Sequence, residues 1–168
     1  MPLFVGALPY GNVPKEEGKR MKLSSPVFES ERSIPNKYSC YGANINPPLR
    51  ISDIPAGTKT LALILEDLDA PRGTFVHWLV YNIPVDNRIE EGSVPGTQGV
   101  NNFRKRAYGG PCPPSGTHRY VFKLYALNTV LALGEGADRK RLEAAMEGHI
   151  VDTAELMGLY QKKSGFFR

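Results

Sequence analysis

The sequence predicts a mostly β protein, an antiparallel sandwich or barrel, with one or two helices in its C-terminal part. Three apolar runs rich in β-branched and aromatic residues are typical of central strands, at 60–65, 77–83 and 119–127. The segments between these runs are dense in Pro, Gly, Asn and Asp, which favour turns. Several short strands without helices between them favour antiparallel sheets over an α/β fold.

Each predicted strand has its own signal. Two shorter strands are expected early in the chain, at 22–28 and 49–51. The run 60–65 is continuously apolar, as in a strand that is buried on both faces. The run 77–83 stops at Pro84, which lacks the N–H that a continuing central strand needs. Residues 84–103 show little periodicity, so we expect a functional loop there or, as the alternative, an edge strand.

The last part of the chain predicts helices. At 138–147, Leu142, Ala145 and Met146 have helical spacing, and Gly148 is a natural stop. A second helix is expected at 152–162. Its evidence is a capping-box pattern and an apolar stripe, formed by Asp152 with Glu155 and by Leu156, Leu159 and Tyr160.

Length and composition indicate a single globular domain. The chain has 168 residues, of which 41% are hydrophobic and 23% are charged. No apolar run approaches the ~18 residues of a membrane helix, and the opening segment lacks the basic start of a secretory signal. We therefore expect a cytoplasmic protein with an N-terminal extension at 1–20 and one domain at 21–168. The net charge of +4 favours the approach of anions, but no nucleic-acid motif accompanies it.

Two polar segments carry the candidate site. One is Asp67-Leu68-Asp69-Ala70-Pro71, followed by His77-Trp78, and the other is Gly110-Pro111-Cys112-Pro113-Pro114, followed by Gly116-Thr117-His118-Arg119-Tyr120. Each lies where a predicted strand meets a turn. A carboxylate that accepts from one imidazole nitrogen orients the ring, so that the other nitrogen can face an anion. If the strands bring the segments together, Asp67 and Asp69 can orient His77 or His118, and the pocket suits an anion.

Other chemistries use the same side chains. A hydrolase or phosphoryl-handling enzyme could use His118 as general acid or base, with Asp67 orienting it. A metal site is not expected, because no His-x-His or His-x-x-x-His pair is present and prolines crowd the candidates. Cys112 has no activating base in the sequence, and whether it pairs with Cys40 is open at this point. No cofactor is predicted.

The order of several blocks resembles the phosphatidylethanolamine-binding protein (PEBP) family. They are Ser39-Cys40-Tyr41-Gly42-Ala43-Asn44, Pro47-Pro48-Leu49, the lead-in at 54–60, and the two polar segments. The resemblance covers residue 21 onwards and is greatest to the bacterial and archaeal branch, often called Raf kinase inhibitor-like. Leu68 departs from the pattern, because the family usually has proline there.

This resemblance implies a sandwich of two antiparallel sheets with C-terminal helices and an anion pocket for phosphate-like or phosphoethanolamine-like groups. Asp69 would brace the turn, and the pocket would be lined by Asp67, Ala70, Pro71, His77, Cys112, Pro113, His118 and Tyr120. The implied protein is a non-enzymatic binding or regulatory module. Its expected partners are a phosphate-like ligand and a target kinase or protease, and a homodimer is compatible with the sequence. A docking module that uses 84–103 or 1–20 is a third hypothesis.

Overall fold

Two β-sheets and one α-helix make up the structure, a computed structural model that describes residues 19–162. Most of the predicted N-terminal extension, residues 1–18, lies outside the described residues, as do 163–168. In chain order the elements are β1 Lys22–Ser24, β2 Arg32–Ser33, a 3₁₀ helix Asn36–Tyr38, β3 Leu49–Ser52, β4 Thr60–Asp67, β5 Phe75–Pro84, β6 Arg88–Ile89, β7 Thr97–Gln98, β8 Thr117–Leu127, α1 Arg139–Met146 and β9 Ile150–Gln161.

The sheets confirm the predicted fold class. A six-stranded sheet has the order β2-β9-β8-β4-β5-β7, and a three-stranded sheet has the order β1-β3-β6. All pairings are antiparallel except that of β2 with β9. Within residues 19–162, no helix is both long and apolar enough to span a membrane.

Strand β4 lies at the centre of the hydrophobic core, and all of its residues are buried. Leu61, Leu63 and Leu65 belong to the larger core cluster, which also contains residues of the small sheet. Ala62 and Ile64 belong to a second cluster that includes α1. Because successive strand residues point to opposite faces, a strand covered on both sides has no solvent-facing positions, and residues 61–65 of β4 are all apolar. The predicted strand buried on both faces is confirmed.

The predicted helix at 152–162 is wrong, because these residues belong to β9. Ala154, Leu156 and Tyr160 are buried and lie an even number of residues apart, which is the spacing of one strand face. The strand pairs along the whole of β8. Asp152, expected to begin a capping box, instead accepts a hydrogen bond from the Met21 backbone N–H at 3.0 Å. Residues 150–161 form a strand rather than a helix because the backbone N–H and C=O groups at the edge of β8 need hydrogen-bond partners.

The other expected elements are present, except that the strand expected at 22–28 ends at Ser24. Helix α1 begins after Asp138, whose side chain accepts from the Arg141 N–H at 2.9 Å, and it buries Leu142 and Met146. The segment 84–103 contains the short strands β6 and β7, so the alternative of edge strands is confirmed there.

Candidate functional site

The two polar segments converge at one end of three neighbouring strands. In the register of the large sheet, Asp67 at the end of β4 is paired with Phe75 of β5 on one side and Tyr120 of β8 on the other. The first segment therefore leaves β4 beside the start of β5, which carries His77. The second segment enters β8 next to it, which places His118 beside Asp67.

A buried ion-pair geometry joins the segments. Nδ1 of His118 lies 2.7 Å from Oδ2 of Asp67, and the two side chains are 9% and 5% exposed. The carboxylate can only accept, so Nδ1 carries the proton of this bond and Nε2 is the remaining ring nitrogen. The other Asp67 oxygen, Oδ1, accepts from the Asp69 backbone N–H at 2.8 Å. Both oxygens of Asp67 are therefore held, and the carboxylate orients His118.

A backbone carbonyl orients the second histidine. Nδ1 of His77 lies 2.7 Å from the Gly109 oxygen, which can only accept, so Nδ1 carries a proton. Burial lowers the pKa of His77, because a desolvated imidazole disfavours its charged form. The neutral ring then has an unprotonated Nε2, which accepts a hydrogen bond. His77 is thus oriented by a backbone carbonyl, whereas His118 is oriented by a carboxylate.

Tyr120 lies between the two histidines. Its ring centroid is 5.4 Å from that of His77, edge to face, and 6.3 Å from that of His118, stacked. Its hydroxyl is buried and makes no geometrically acceptable hydrogen bond to a residue within 19–162. Burial, and secondarily the nearby Asp67 carboxylate, raises the pKa of Tyr120. The hydroxyl is therefore a protonated donor beside the paired carboxylate.

Two phenylalanines pack edge-on against His77. The centroids of Phe75 and Phe103 lie 5.3 Å and 5.1 Å from that of the imidazole. Phe103 was missed by the sequence reasoning, since it lies in the segment 84–103, which has no motif. The one feature of the sequence that could have pointed to Phe103 is that it is an aromatic residue within a polar stretch. These rings account for part of the burial of His77.

Asp69 contacts Arg119 rather than either histidine ring. Its Oδ1 accepts from Arg119 Nη2 at 2.8 Å, and its Oδ2 accepts from Nε and from the backbone N–H, both at 2.9 Å. These hydrogen bonds lower the pKa of Asp69 to about 2. The pair ties the turn after β4 to the start of β8.

The segment from Gly109 to Pro113 is fastened to residues 38–44. A disulfide joins Cys112 to Cys40, with a Cα–Cα distance of 5.4 Å. The Cys40 N–H donates to the Pro111 oxygen at 3.0 Å, and the Gly110 N–H donates to Asn44 Oδ1 at 2.8 Å. A Cβ at Gly110 would lie 2.1 Å from the Tyr38 oxygen, so a larger residue could not approach this closely.

The disulfide changes the role of Cys112. Sequence reasoning left its pairing open and placed the residue in the pocket wall; the structure makes it half of a cross-link, so it is not a thiol. Disulfides are typical of oxidising compartments and of intracellular hyperthermophile proteins. The cytoplasmic location stays a prediction.

The remaining predicted residues occupy the surroundings of this cluster. Ala70 is half-buried and Pro71 exposed in the turn after β4, whereas Pro113 is buried. The Tyr41 hydroxyl donates to the Pro113 oxygen at 3.1 Å. No set of three or more His, Cys, Asp or Glu side chains in the described part of the chain is arranged to hold a metal ion.

The chain belongs to the phosphatidylethanolamine-binding protein family, whose model matches residues 24–161. It is 47% identical over 159 residues to a UPF0098 protein of Pyrococcus horikoshii, covering 88% of this chain and 80% of that protein. It is 48% identical over 149 residues to a UPF0098 protein of Chlamydia muridarum, covering 84% of this chain and 99% of that protein. The predicted family is confirmed.

Solved structures agree with this assignment. A PEBP homolog from Chlamydia trachomatis superposes with a TM-score of 0.84 at 45% identity, covering 87% of this chain and 100% of that chain. E. coli YbcL, described as a new member of the mammalian PEBP family, gives a TM-score of 0.79 at 28% identity, covering 86% of this chain and 99% of that chain.

Proposed function

We propose that this protein is a non-enzymatic binding module whose pocket at the ends of β4, β5 and β8 accepts a phosphate-like or phosphoethanolamine-like group. The observation that carries the proposal is the buried Asp67–His118 pair at 2.7 Å, next to a second histidine and a buried tyrosine hydroxyl. Cys112, in the adjacent wall, is disulfide-bonded and cannot act as a nucleophile. The family name supports the same class of ligand.

The two histidines would contribute opposite hydrogen-bonding roles. A protonated His118 would donate from Nε2 to an anion oxygen while Asp67 accepts from Nδ1. His77, neutral and with Nδ1 donating to Gly109, would accept from a group that carries a proton. A monoprotonated phosphate has both kinds of oxygen, and phosphoethanolamine adds an ammonium donor. The pocket would therefore prefer a ligand with acceptor and donor atoms together over a fully deprotonated anion.

Ring NMR signals test this proposal directly. Inorganic phosphate and phosphoethanolamine are titrated separately while the imidazole signals of His77 and His118 are followed. We expect saturable shifts of both rings in the wild type and in His149→Gln, which lies outside the site, and their loss in His118→Gln. Unmoved His77 and His118 signals at millimolar ligand would contradict the proposal.

A phosphoryl-handling hydrolase is the second candidate. The same Asp67–His118 pair favours it, because a carboxylate-oriented imidazole is a common general acid or base. Turnover of a phosphoester panel that is abolished by His118→Gln and reduced by Asp67→Asn would support the enzyme. Anion binding without turnover would support the binding module.

The proposal includes a target kinase or protease, which is supported by the family resemblance alone. Pull-down with a wild-type bait and a His118→Gln bait would separate a partner that reads the pocket from one that binds elsewhere. A partner retained equally by both baits would argue against a pocket-dependent contact.

A further inference from the structure

The three-stranded sheet carries a polar groove on its exposed side, distinct from the histidine site. The groove has a volume of about 460 Å³. Its polar lining residues are Ser24, Arg50, Ser52, Asn87 and Arg88. The exposed positions of β1 and β3 alternate with buried ones, so these side chains share the face that is turned away from the core.

The strand register places two arginines directly opposite each other. Arg50 of β3 is the Cα partner of Arg88 of β6 on one side and of Ser24 of β1 on the other. In the neighbouring row, Lys22 is opposite Ser52. Like charges at directly opposed positions of an antiparallel pair are destabilising. The repulsion between Arg50 and Arg88 therefore costs folding free energy, and an anion bound between the two guanidinium groups would offset this cost.

Of the two groove arginines, Arg88 has only an exposed ion-pair partner within residues 19–162, and Arg50 has none. Arg88 donates from Nε to Glu90 at 3.0 Å, but the two side chains are 66% and 67% exposed, and such a pair contributes little. Among residues 19–162, Arg50 has no ion-pair partner, and the side chains of Ser24, Ser52 and Asn87 make no hydrogen bond. The nearby Asp86 carboxylate accepts from the Asn87 backbone N–H at 2.6 Å.

We propose that this groove is a second oxyanion site, which binds the phosphoryl group of inorganic phosphate or of a small phosphate ester. A guanidinium presents paired N–H donors that match two phosphate oxygens, and two such groups with serine hydroxyls beside them surround a tetrahedral anion. The groove lies on the other sheet from Asp67 and His118. Its lining contains none of the residues of the histidine site.

Backbone NMR in a His118→Gln background tests the groove separately. Inorganic phosphate is titrated against chloride at constant ionic strength, and the amide signals of Ser24, Arg50 and Arg88 are followed. We expect saturable shifts that Arg50→Gln weakens by about tenfold or more, as for loss of a charged hydrogen bond. The matched control Arg32→Gln, an exposed strand arginine on the large sheet, should leave them unchanged.

A parallel titration with glycerol phosphate separates the two sources of the phosphoryl group. Tighter binding of the ester would indicate that the groove also accommodates its carbon chain, and equal binding would indicate recognition of the phosphoryl group alone. Shifts that rise linearly without saturation, or that are the same in Arg50→Gln and the parent, would overturn the proposal. Groove shifts that the wild type shows and the His118→Gln background lacks would also overturn it.

Discussion

Removing the disulfide between Cys40 and Cys112 should be among the most destabilising single perturbations of this protein. The two cysteines are 72 positions apart. In the chain-entropy description, closing a loop of that length lowers the entropy of the unfolded chain enough to stabilise the fold by about 4 kcal/mol. The double variant Cys40→Ser/Cys112→Ser should therefore lose about that much free energy of unfolding.

The site itself should survive this change. Hydrogen bonds from Cys40 to Pro111, from Gly110 to Asn44 and from Tyr41 to Pro113 span the same two segments without the cross-link. We expect the His77 and His118 ring signals of the double variant to stay close to those of the wild type. The loss arises mainly in the unfolded state, which becomes less restricted.

Urea unfolding measures the effect. The wild type and the double variant are compared under non-reducing conditions, and the wild type in reducing buffer is a second form that lacks the bond. We expect a lower midpoint and a steeper urea dependence in both uncross-linked forms, because their unfolded chains expose more surface. A loss of less than about 1 kcal/mol would refute loop closure as the source of the stabilisation.

Three further predictions concern single side chains. Asp69→Asn should cost about 1 kcal/mol at pH 6, because the pair is partly exposed. This cost should vanish in unfolding measured towards pH 2, since Arg119 lowers the folded-state pKa of Asp69 to about 2 from 3.8 and the stabilisation is lost between those values. Burial lowers the pKa of His77 from 6.5 in the folded state, so near and below pH 6.5 the unfolded state binds more protons than the folded state. The free energy of unfolding should therefore fall between pH 7.5 and pH 5.5. The fall should be smaller in His77→Gln. Gly158→Ala would place a Cβ 2.4 Å from Ile34 Cγ1 and 2.6 Å from Cδ1, costing about 1–3 kcal/mol. In a thermal-denaturation cycle with Ile34→Ala, which removes both atoms, the two losses should be less than additive; full additivity would contradict the clash.

The contrast between β4 and β9 shows what the sequence could reveal about the fold. Strand β4 was predictable because both of its faces are covered, which makes residues 61–65 a continuous apolar run. Strand β9 was not, because its buried positions include Asp152, which bonds the Met21 backbone, and Gly158, which has no side chain. These two residues interrupt the alternation, and Leu156, Leu159 and Tyr160 happen to match helical spacing.

The candidate site also has features that the sequence predicts and features that it does not. The residue types at the strand ends predicted that Asp67 or Asp69 orients His77 or His118, but not that the pair is Asp67 with His118. The Gly109 carbonyl that orients His77 was not, since a backbone acceptor has no residue-type signature. Phe103 was missed because its contact with His77 depends on how the segment 84–103 returns to β5.

The pairing of β2 with β9 has a consequence for synthesis on the ribosome. Arg32 lies beside Gly158 in this sheet, so one of its outer strands cannot be secured until almost the whole described domain has been translated. Contacts between such distant positions slow folding, because the chain must search widely before they form. During elongation the exposed edge of β8 would stay open to other nascent chains, and protection by a chaperone would matter most in that interval.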